Sequence, residues 1–184
     1  MKQSSCDLSK FVHLSHRRWS IPILGELFRT SGSKFVTLSR ILGIPEGSLR
    51  QTLQELNRLG YVVPNPGYGH PLRPEYILTR QGEKEAQFAF EVNALIEESG
   101  MSEVLYRKWV LAIIACCQHG DRYSEIRTKL ESVTDRALSA ALQELVGHEV
   151  LRREIIDSYP PTTVYLVRSE WIPIAAKLHD WIAA

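Results

Sequence analysis

The chain has 184 residues, 44% of them hydrophobic and 23% charged, and its 22 basic and 21 acidic residues give a net charge of +1. These proportions are typical of a globular protein, and no apolar run approaches the roughly 20 residues that a membrane-spanning helix needs. Residues 1–6 lack a signal-peptide core, and three cysteines provide neither a disulfide framework nor a C-x-x-C zinc pair. We therefore expect a cytoplasmic protein without a metal or other cofactor.

The first half of the chain is predicted to contain helices followed by a hairpin. A short helix near 8–16 precedes a helix over about 20–29, whose proline lies in the first turn, where it is tolerated. A second short helix covers about 36–42, and a third carries leucines at helical spacing until Gly60 stops it. Two strands, 61–63 and 76–78, then flank a loop rich in proline and glycine. This order is that of a winged helix.

The second half repeats the first at an offset of 88–90 residues. Trp19 corresponds to Trp109, and the sequence Leu-Gln-Glu-Leu at 53–56 recurs at 142–145. The repeat predicts a second winged helix, with elements at the following positions: helices near 102–118, 123–130 and 136–147, strands near 150–156 and 163–167, and a final helix over 171–182. An amphipathic helix over 81–98, whose apolar side is predicted to hold Ala86, Phe90, Ala94 and Leu95, joins the copies. The predicted domains are therefore 1–80, a linker helix in 81–100, and 101–184.

Charge is distributed unequally between the copies. Residues 10–80 hold ten basic and four acidic side chains, a net charge of +6, whereas residues 101–184 have a net charge of −1. If either copy binds a polyanion, this contrast favours the first.

Several motifs resemble those of the HxlR-type winged-helix transcriptional regulators, which are relatives of the MarR group. Cys6 stands 13 residues before Trp19, where the family has a cysteine, and Arg18 is the basic residue before that tryptophan. The family motif Glu-Tyr-x-Leu-Thr-x-x-Gly, which follows the wing, is matched by residues 75–82. The resemblance implies a mainly α fold with small β-hairpin wings, in two tandem winged helix-turn-helix domains, and a regulator that binds double-stranded DNA.

The third helix of each copy would be the recognition helix, with a buried apolar face and an outward polar face. Arginine suits guanine or phosphate and glutamine suits adenine edges, and the wing would enter the minor groove. The candidate DNA-binding residues of copy one are Ser33, Lys34, Arg40, Ser48, Arg50, Gln51, Gln54, Arg58, His70 and Arg73. Those of copy two are Arg136, Ser139 and Gln143, a poorer set that follows the acidic Asp135.

Other partners and functions stay open at this point. Family members form homodimers through their terminal helices, so the tandem would replace part or all of that dimer, and a homodimer through terminal or linker helices and a small effector remain candidate partners. Cys6 is a redox candidate by the same resemblance, although Asp7 beside it disfavours a reactive thiolate. No catalytic motif is present, so an enzyme is not expected. The alternative function is a protein-interaction module that uses winged helices to assemble a complex.

Overall fold

The computed structural model describes residues 3–65, 75–157, 159 and 161–183, and within these ranges the side chains from Leu8 onward. The chain divides into two compact units, one formed by 17–100 and the other by 1–16 together with 101–184. Within the described residues, no helix combines the length and apolar character that a membrane span requires. The fold is mainly helical with two small antiparallel sheets, as the sequence predicts.

The helices, in chain order, are α1 (Gln3–Ser15), α2 (Ser20–Thr30), α3 (Phe35–Leu42), α4 (Glu46–Arg58), α5 (Arg80–Glu98), α6 (Ser102–Leu105), α7 (Val110–Cys116), α8 (Tyr123–Lys129), α9 (Asp135–Gly147) and α10 (Ile172–Ala183). The strands are β1 (Ser33–Lys34), β2 (Val62–Asn65), β3 (Glu75–Leu78), β4 (Asp121–Arg122), β5 (Leu151–Ile156) and β6 (Thr162–Val167). Short 3-10 turns cover Cys117–His119 and Ser169–Trp171.

Each copy has a three-stranded sheet in which the wing hairpin is joined by a two-residue strand. The orders are β1-β3-β2 and β4-β6-β5, and all pairs are antiparallel. In the first sheet Ser33 pairs with Tyr76, and Val63 pairs with Ile77. Strands β1 and β4 were not predicted from the sequence, because two residues are too few to show the alternation that identifies a strand.

Helix α5 packs against α2, with a different face inward from the one predicted. Ala86 is buried as expected, but Ala94 is exposed and Phe90 is 39% exposed, while Ala89 and Val92 are buried instead. The reason is close approach: a Cβ added to Gly25 of α2 would lie 3.3 Å from the Cα of Phe90. Small residues therefore meet where the two helices touch, and the phenylalanine ring lies at the rim of the contact.

The start of α5 is fixed by Thr79 and Gly82. The Thr79 hydroxyl donates to the Gly60 carbonyl at 2.6 Å and accepts from the Gly82 N–H at 2.9 Å. A Cβ at Gly82 would lie only 1.9 Å from the carbonyl oxygen of Tyr61, so no other residue fits without backbone movement. The threonine and glycine of the motif at 75–82 are therefore required by packing, because the N-terminus of α5 lies against the backbone that enters the wing.

In the other unit, the predicted helix over 102–118 is interrupted. Helix α6 ends at Leu105 and α7 begins at Val110, and the turn between them contains Trp109 in the left-handed region, with φ of 76°. Copy one has its corresponding break at 16–19, between α1 and α2. The continuous helix predicted for copy two was therefore wrong, because its apolar residues continue through a turn that the repeat retains.

Helix α1 packs on α7 and α10 of the second copy. Phe11 and Leu14 are fully buried there and Leu8 is nearly so, and the Phe11 and Trp181 ring centroids lie 5.3 Å apart. The units therefore differ from the predicted domains in two places. The first residues of the chain complete the core of the second copy, and the helix predicted as a linker belongs to the core of the first.

Candidate nucleic-acid interface

The turn between α3 and α4 is held by local hydrogen bonds. Gly43 adopts φ of 62° and its N–H donates to the Ser39 carbonyl, while the Ser39 hydroxyl donates to the Ile44 carbonyl at 2.8 Å. Ile44 is buried and anchors the turn in the core. Helix α4 then begins at Glu46, after Pro45, so its direction relative to α3 is fixed by these contacts.

Helix α4 separates an inner from an outer face as the sequence predicts. Leu49, Thr52, Leu53 and Leu56 are buried, and the Thr52 hydroxyl donates to the Ser48 carbonyl at 2.8 Å. The outward side chains are all exposed except Ser48, which is half-buried: Gly47, Ser48, Arg50, Gln51, Gln54 and Arg58. The helix thus presents a continuous polar surface with two arginines and two glutamines.

Three of these outward side chains have partners within the unit. The Arg50 guanidinium lies over the Phe35 ring, 5.6 Å from its centroid, and Arg17 donates to the Gln51 side-chain oxygen at 3.2 Å. Arg58 makes a bidentate contact with Glu55, at 2.6 and 3.0 Å, which raises the pKa of its guanidinium. A charge that already faces a carboxylate contributes less to binding a phosphate, so Arg58 is a weaker candidate than Arg50.

The other candidates of copy one have different outcomes. Lys34 and Arg40 are exposed, at the start and near the end of α3. Ser33 is only 6% exposed and lies in β1, where it pairs with Tyr76, so it is a weaker candidate than Lys34 and its role as a phosphate contact stays a prediction. His70 and Arg73 lie outside the described residues.

Copy two uses much of its recognition surface for contacts within the unit. Arg136, Ser139 and Gln143 of α9 are exposed as predicted. However, the Tyr123 hydroxyl lies 3.3 Å from that of Ser139 and also donates to the Asp135 carboxylate. The outer face of α9 is therefore more constrained and less cationic than that of α4.

Two ion pairs add to this constraint on α9. Arg127 donates to the Asp135 carboxylate at 3.0 Å, and Arg107 is ion-paired with Glu144. Both arginines therefore face carboxylates of the helix that would have to approach DNA.

Net charge is less unequal between the compact units than between the predicted domains. Helix α5 carries five glutamates against two basic residues, Arg80 and Lys84, so unit 17–100 has ten basic and nine acidic residues, a net charge of +1. The other unit has twelve of each. The predicted contrast of +6 against −1 thus depended on leaving out residues 81–100, which have a net charge of −4, and on counting Lys10 with the first copy. Positive charge is concentrated instead within 17–80, which has nine basic and four acidic residues.

Two of the three cysteines are buried and chemically protected. Burial raises the pKa of Cys116 to about 12 and that of Cys117 well above its usual value. A thiol with so little thiolate is a poor nucleophile and a poor redox sensor. The side chain of the redox candidate Cys6 lies outside the described residues, so its role stays a prediction.

Arg17 and Phe35 are two neighbours of the α4 surface that the sequence analysis did not select. Arg17 lies 34 residues from Gln51, and no local periodicity connects them. The repeat held one usable signal, because Arg17 recurs as Arg107, directly before the basic-Trp pair in each copy.

Comparison with known proteins gives the same family twice along the chain. The family model described as HxlR-like helix-turn-helix matches residues 14–103 and again 104–184. An uncharacterised HTH-type transcriptional regulator of Methanothermobacter thermautotrophicus is 30% identical over 78 residues, which cover 40% of this chain and 60% of the relative. The uncharacterised HTH-type transcriptional regulator YvaP of Bacillus subtilis is 29% identical over 83 residues, 43% of this chain and 77% of YvaP.

Among solved structures, a protein of Porphyromonas gingivalis W83 described as a MarR-family transcriptional regulator aligns with a TM-score of 0.41 and 22% identity. The alignment covers 47% of this chain and 84% of that one. The two family matches together span nearly the whole sequence, with one match for each winged helix. The chain therefore belongs to the HxlR-like helix-turn-helix family of transcriptional regulators, and carries two copies of its domain.

Proposed function

We propose that the protein regulates transcription by binding double-stranded DNA, with α4 of the first copy in the major groove. The observation that carries this proposal is the outer face of α4, on which Arg50, Gln51 and Gln54 are exposed opposite a buried leucine face. A helix presented in this way can place arginine against guanine and glutamine against adenine edges. Membership in a family of helix-turn-helix regulators supports the same function.

Contacts to phosphate would come from the elements around α4. Lys34, at the end of β1, and Arg40, on α3, are exposed cations of the kind that fix a helix in the groove, and His70 and Arg73 would act from the wing. Arg136, Ser139 and Gln143 of α9 would add a second, weaker contact. The tandem copies would take over part or all of the work of a homodimer.

A second candidate function is protein docking by the second copy. Its wing strand β5 lies at the sheet edge, and Ile155 there is 72% exposed, which is unusual for a surface whose only role is to contact DNA. A domain that docks a protein through this wing would not need a cationic recognition helix, and α9 lacks one.

The first test is fluorescence anisotropy with mixed-sequence duplex DNA at about 50 and about 200 mM salt, with light scattering for mass. Binding driven by phosphate should weaken with a log-log slope of about −0.9 for each phosphate neutralised. Replacing Arg50 and Gln51 together by alanine should abolish specific binding while the fold is kept, and R136A should cost less. Equal losses would contradict the asymmetry, and no binding at the lower salt would favour protein docking.

A further inference from the structure

Arg17 and Arg107 occupy the same place in the two copies, 90 residues apart. Each lies in the turn before a core helix, and its carbonyl accepts the first hydrogen bond of that helix, from Ser20 at 3.1 Å in one copy and from Val110 at 3.2 Å in the other. The two carbonyls thus make the same contact, although the turns differ two residues later, where Trp19 has φ of −96° and Trp109 has φ of 76°.

The two side chains bind different partners on their recognition helices. Arg17 donates from Nη1 to the Oε1 atom of Gln51 at 3.2 Å. Arg107 instead forms an ion pair with Glu144 of α9. Gln51 is exposed on the outer face of α4, whereas the side chain of Glu144 is three-quarters buried.

The two arginines have different partners because the residue one turn after Glu55 in α4 differs from the residue one turn after Glu144 in α9. Glu144 corresponds to Glu55 in the repeat, and Glu55 is already held by two hydrogen bonds from Arg58. Copy two has Gly147 where copy one has Arg58, so its glutamate accepts the arginine from the turn. In copy one the carboxylate is occupied, and Arg17 extends to the amide of Gln51.

This hydrogen bond fixes which end of the Gln51 amide faces outward. A guanidinium only donates, so the amide oxygen has to face Arg17, and the NH₂ group then points away from it. The oxygen keeps a second lone pair. An exposed glutamine without such a neighbour can turn either end of its amide toward a base edge, and a contact that admits both orientations discriminates poorly.

We propose that Arg17 is a positioning residue that sets the base preference of Gln51. The inference rests on the proposed function, because it assumes that α4 reads DNA. Arg17 acts through Gln51: it presents the amide in one orientation, with NH₂ directed at an acceptor on a base and the oxygen able to accept in addition. Arg107 has no such role, since it is ion-paired with Glu144 of α9.

The test begins with a duplex selected from a randomised pool by the unmodified chain, followed by competition against its single-base variants. R17A should lower discrimination about fivefold or more at one base pair, the same one that Q51A affects. Combining R17A with Q51A should give no further loss, because the two residues act through one contact. R17K should restore part of the discrimination, and R107A serves as the matched control and should leave discrimination at that base pair unchanged.

A second readout does not depend on DNA. In the free protein, the side-chain amide NMR signals of Gln51 should move in R17A and stay in place in R107A. Uniformly weaker binding of R17A to every duplex, with the salt slope reduced by about 0.9, would overturn the proposal, because Arg17 would then be a phosphate contact. Unchanged discrimination would also overturn it. Absence of DNA binding by the unmodified chain would overturn the proposed function and this inference together.

Discussion

Replacing Phe11 by alanine should destabilise the second copy of the repeat, although Phe11 precedes the first copy in sequence. Its ring is fully buried and lies 5.3 Å from that of Trp181 in α10, inside the unit that contains α7. Removal of this ring leaves a cavity between α1, α7 and α10. The effect should therefore appear in those helices and leave α2 and α5 of the other unit unchanged.

The size of the effect follows from how few residues hold α1. Only Leu8, Phe11 and Leu14 of this helix are buried hydrophobic residues among its described side chains, and each fully buried side chain contributes about 1.5–3 kcal/mol. Truncating a buried phenylalanine to alanine costs about 3–5 kcal/mol. That cost is half or more of the burial free energy that Leu8, Phe11 and Leu14 together contribute. Helix α1 should therefore detach in the variant and expose the faces of α7 and α10 that it covers.

Hydrogen exchange measured by peptide mass spectrometry is a suitable assay, because it reports each helix separately. A loss of about 3 kcal/mol should speed exchange in α7 and α10 about a hundredfold or more. F28A is the matched control: Phe28 is 37% exposed on α2, so its loss should cost less and should affect only unit 17–100. Faster exchange in α2 and α5, with α7 and α10 unchanged, would refute the assignment of α1 to the second copy.

Two further predictions concern stability and thiol chemistry. G82A should lower the free energy of unfolding by about 1–3 kcal/mol or more in urea denaturation, because its methyl group would collide with the Tyr61 carbonyl, whereas G47A, which has open space on α4, should be neutral or slightly stabilising. Cys116 and Cys117 should resist alkylation at about pH 8 until the protein unfolds. Because burial raises the pKa of Cys116 from 9.0 to about 12, its contribution to stability should be complete below pH 9.0 and should decline as the pH rises toward 12. Urea unfolding of C116A should show less of that decline, and equal declines would contradict the assigned cause.

The local parts of the fold could be predicted from the sequence, because their signals lie within a few residues of one another. The leucine spacing of α4 gave its inner face correctly, and the proline and glycine run marked the wing between β2 and β3. The repeat added a second prediction for each element of copy one. Hydrophobic periodicity and turn residues are therefore sufficient for the helix-turn-helix and its hairpin.

The features that the sequence analysis missed depend on contacts between distant residues. The choice of inner face on α5 is set by Gly25, more than 60 residues away from Ala89, and the burial of Ser33 is set by its pairing with Tyr76. Residues 1–16 pack with 101–184, a pairing that no local pattern encodes. The position of Arg17 beside Gln51 belongs to the same class, since only the folded chain brings the turn and the helix together.

The difference between the copies is carried by the partners of their charged side chains more than by net charge. Both compact units are close to neutral, yet in copy two Arg127 and Arg107 face Asp135 and Glu144 of the recognition helix. In copy one Arg50 lies over an aromatic ring, a contact that leaves its charge unneutralised. A phosphate approaching α9 would meet two arginines that already hold carboxylates, and its exposed Arg136 follows the acidic Asp135, whereas one approaching α4 would meet the exposed guanidinium of Arg50. For this reason a charge-neutralising change that frees an arginine of copy two, such as D135N for Arg127, should strengthen DNA binding more than an equal change of charge on α5, as measured by anisotropy.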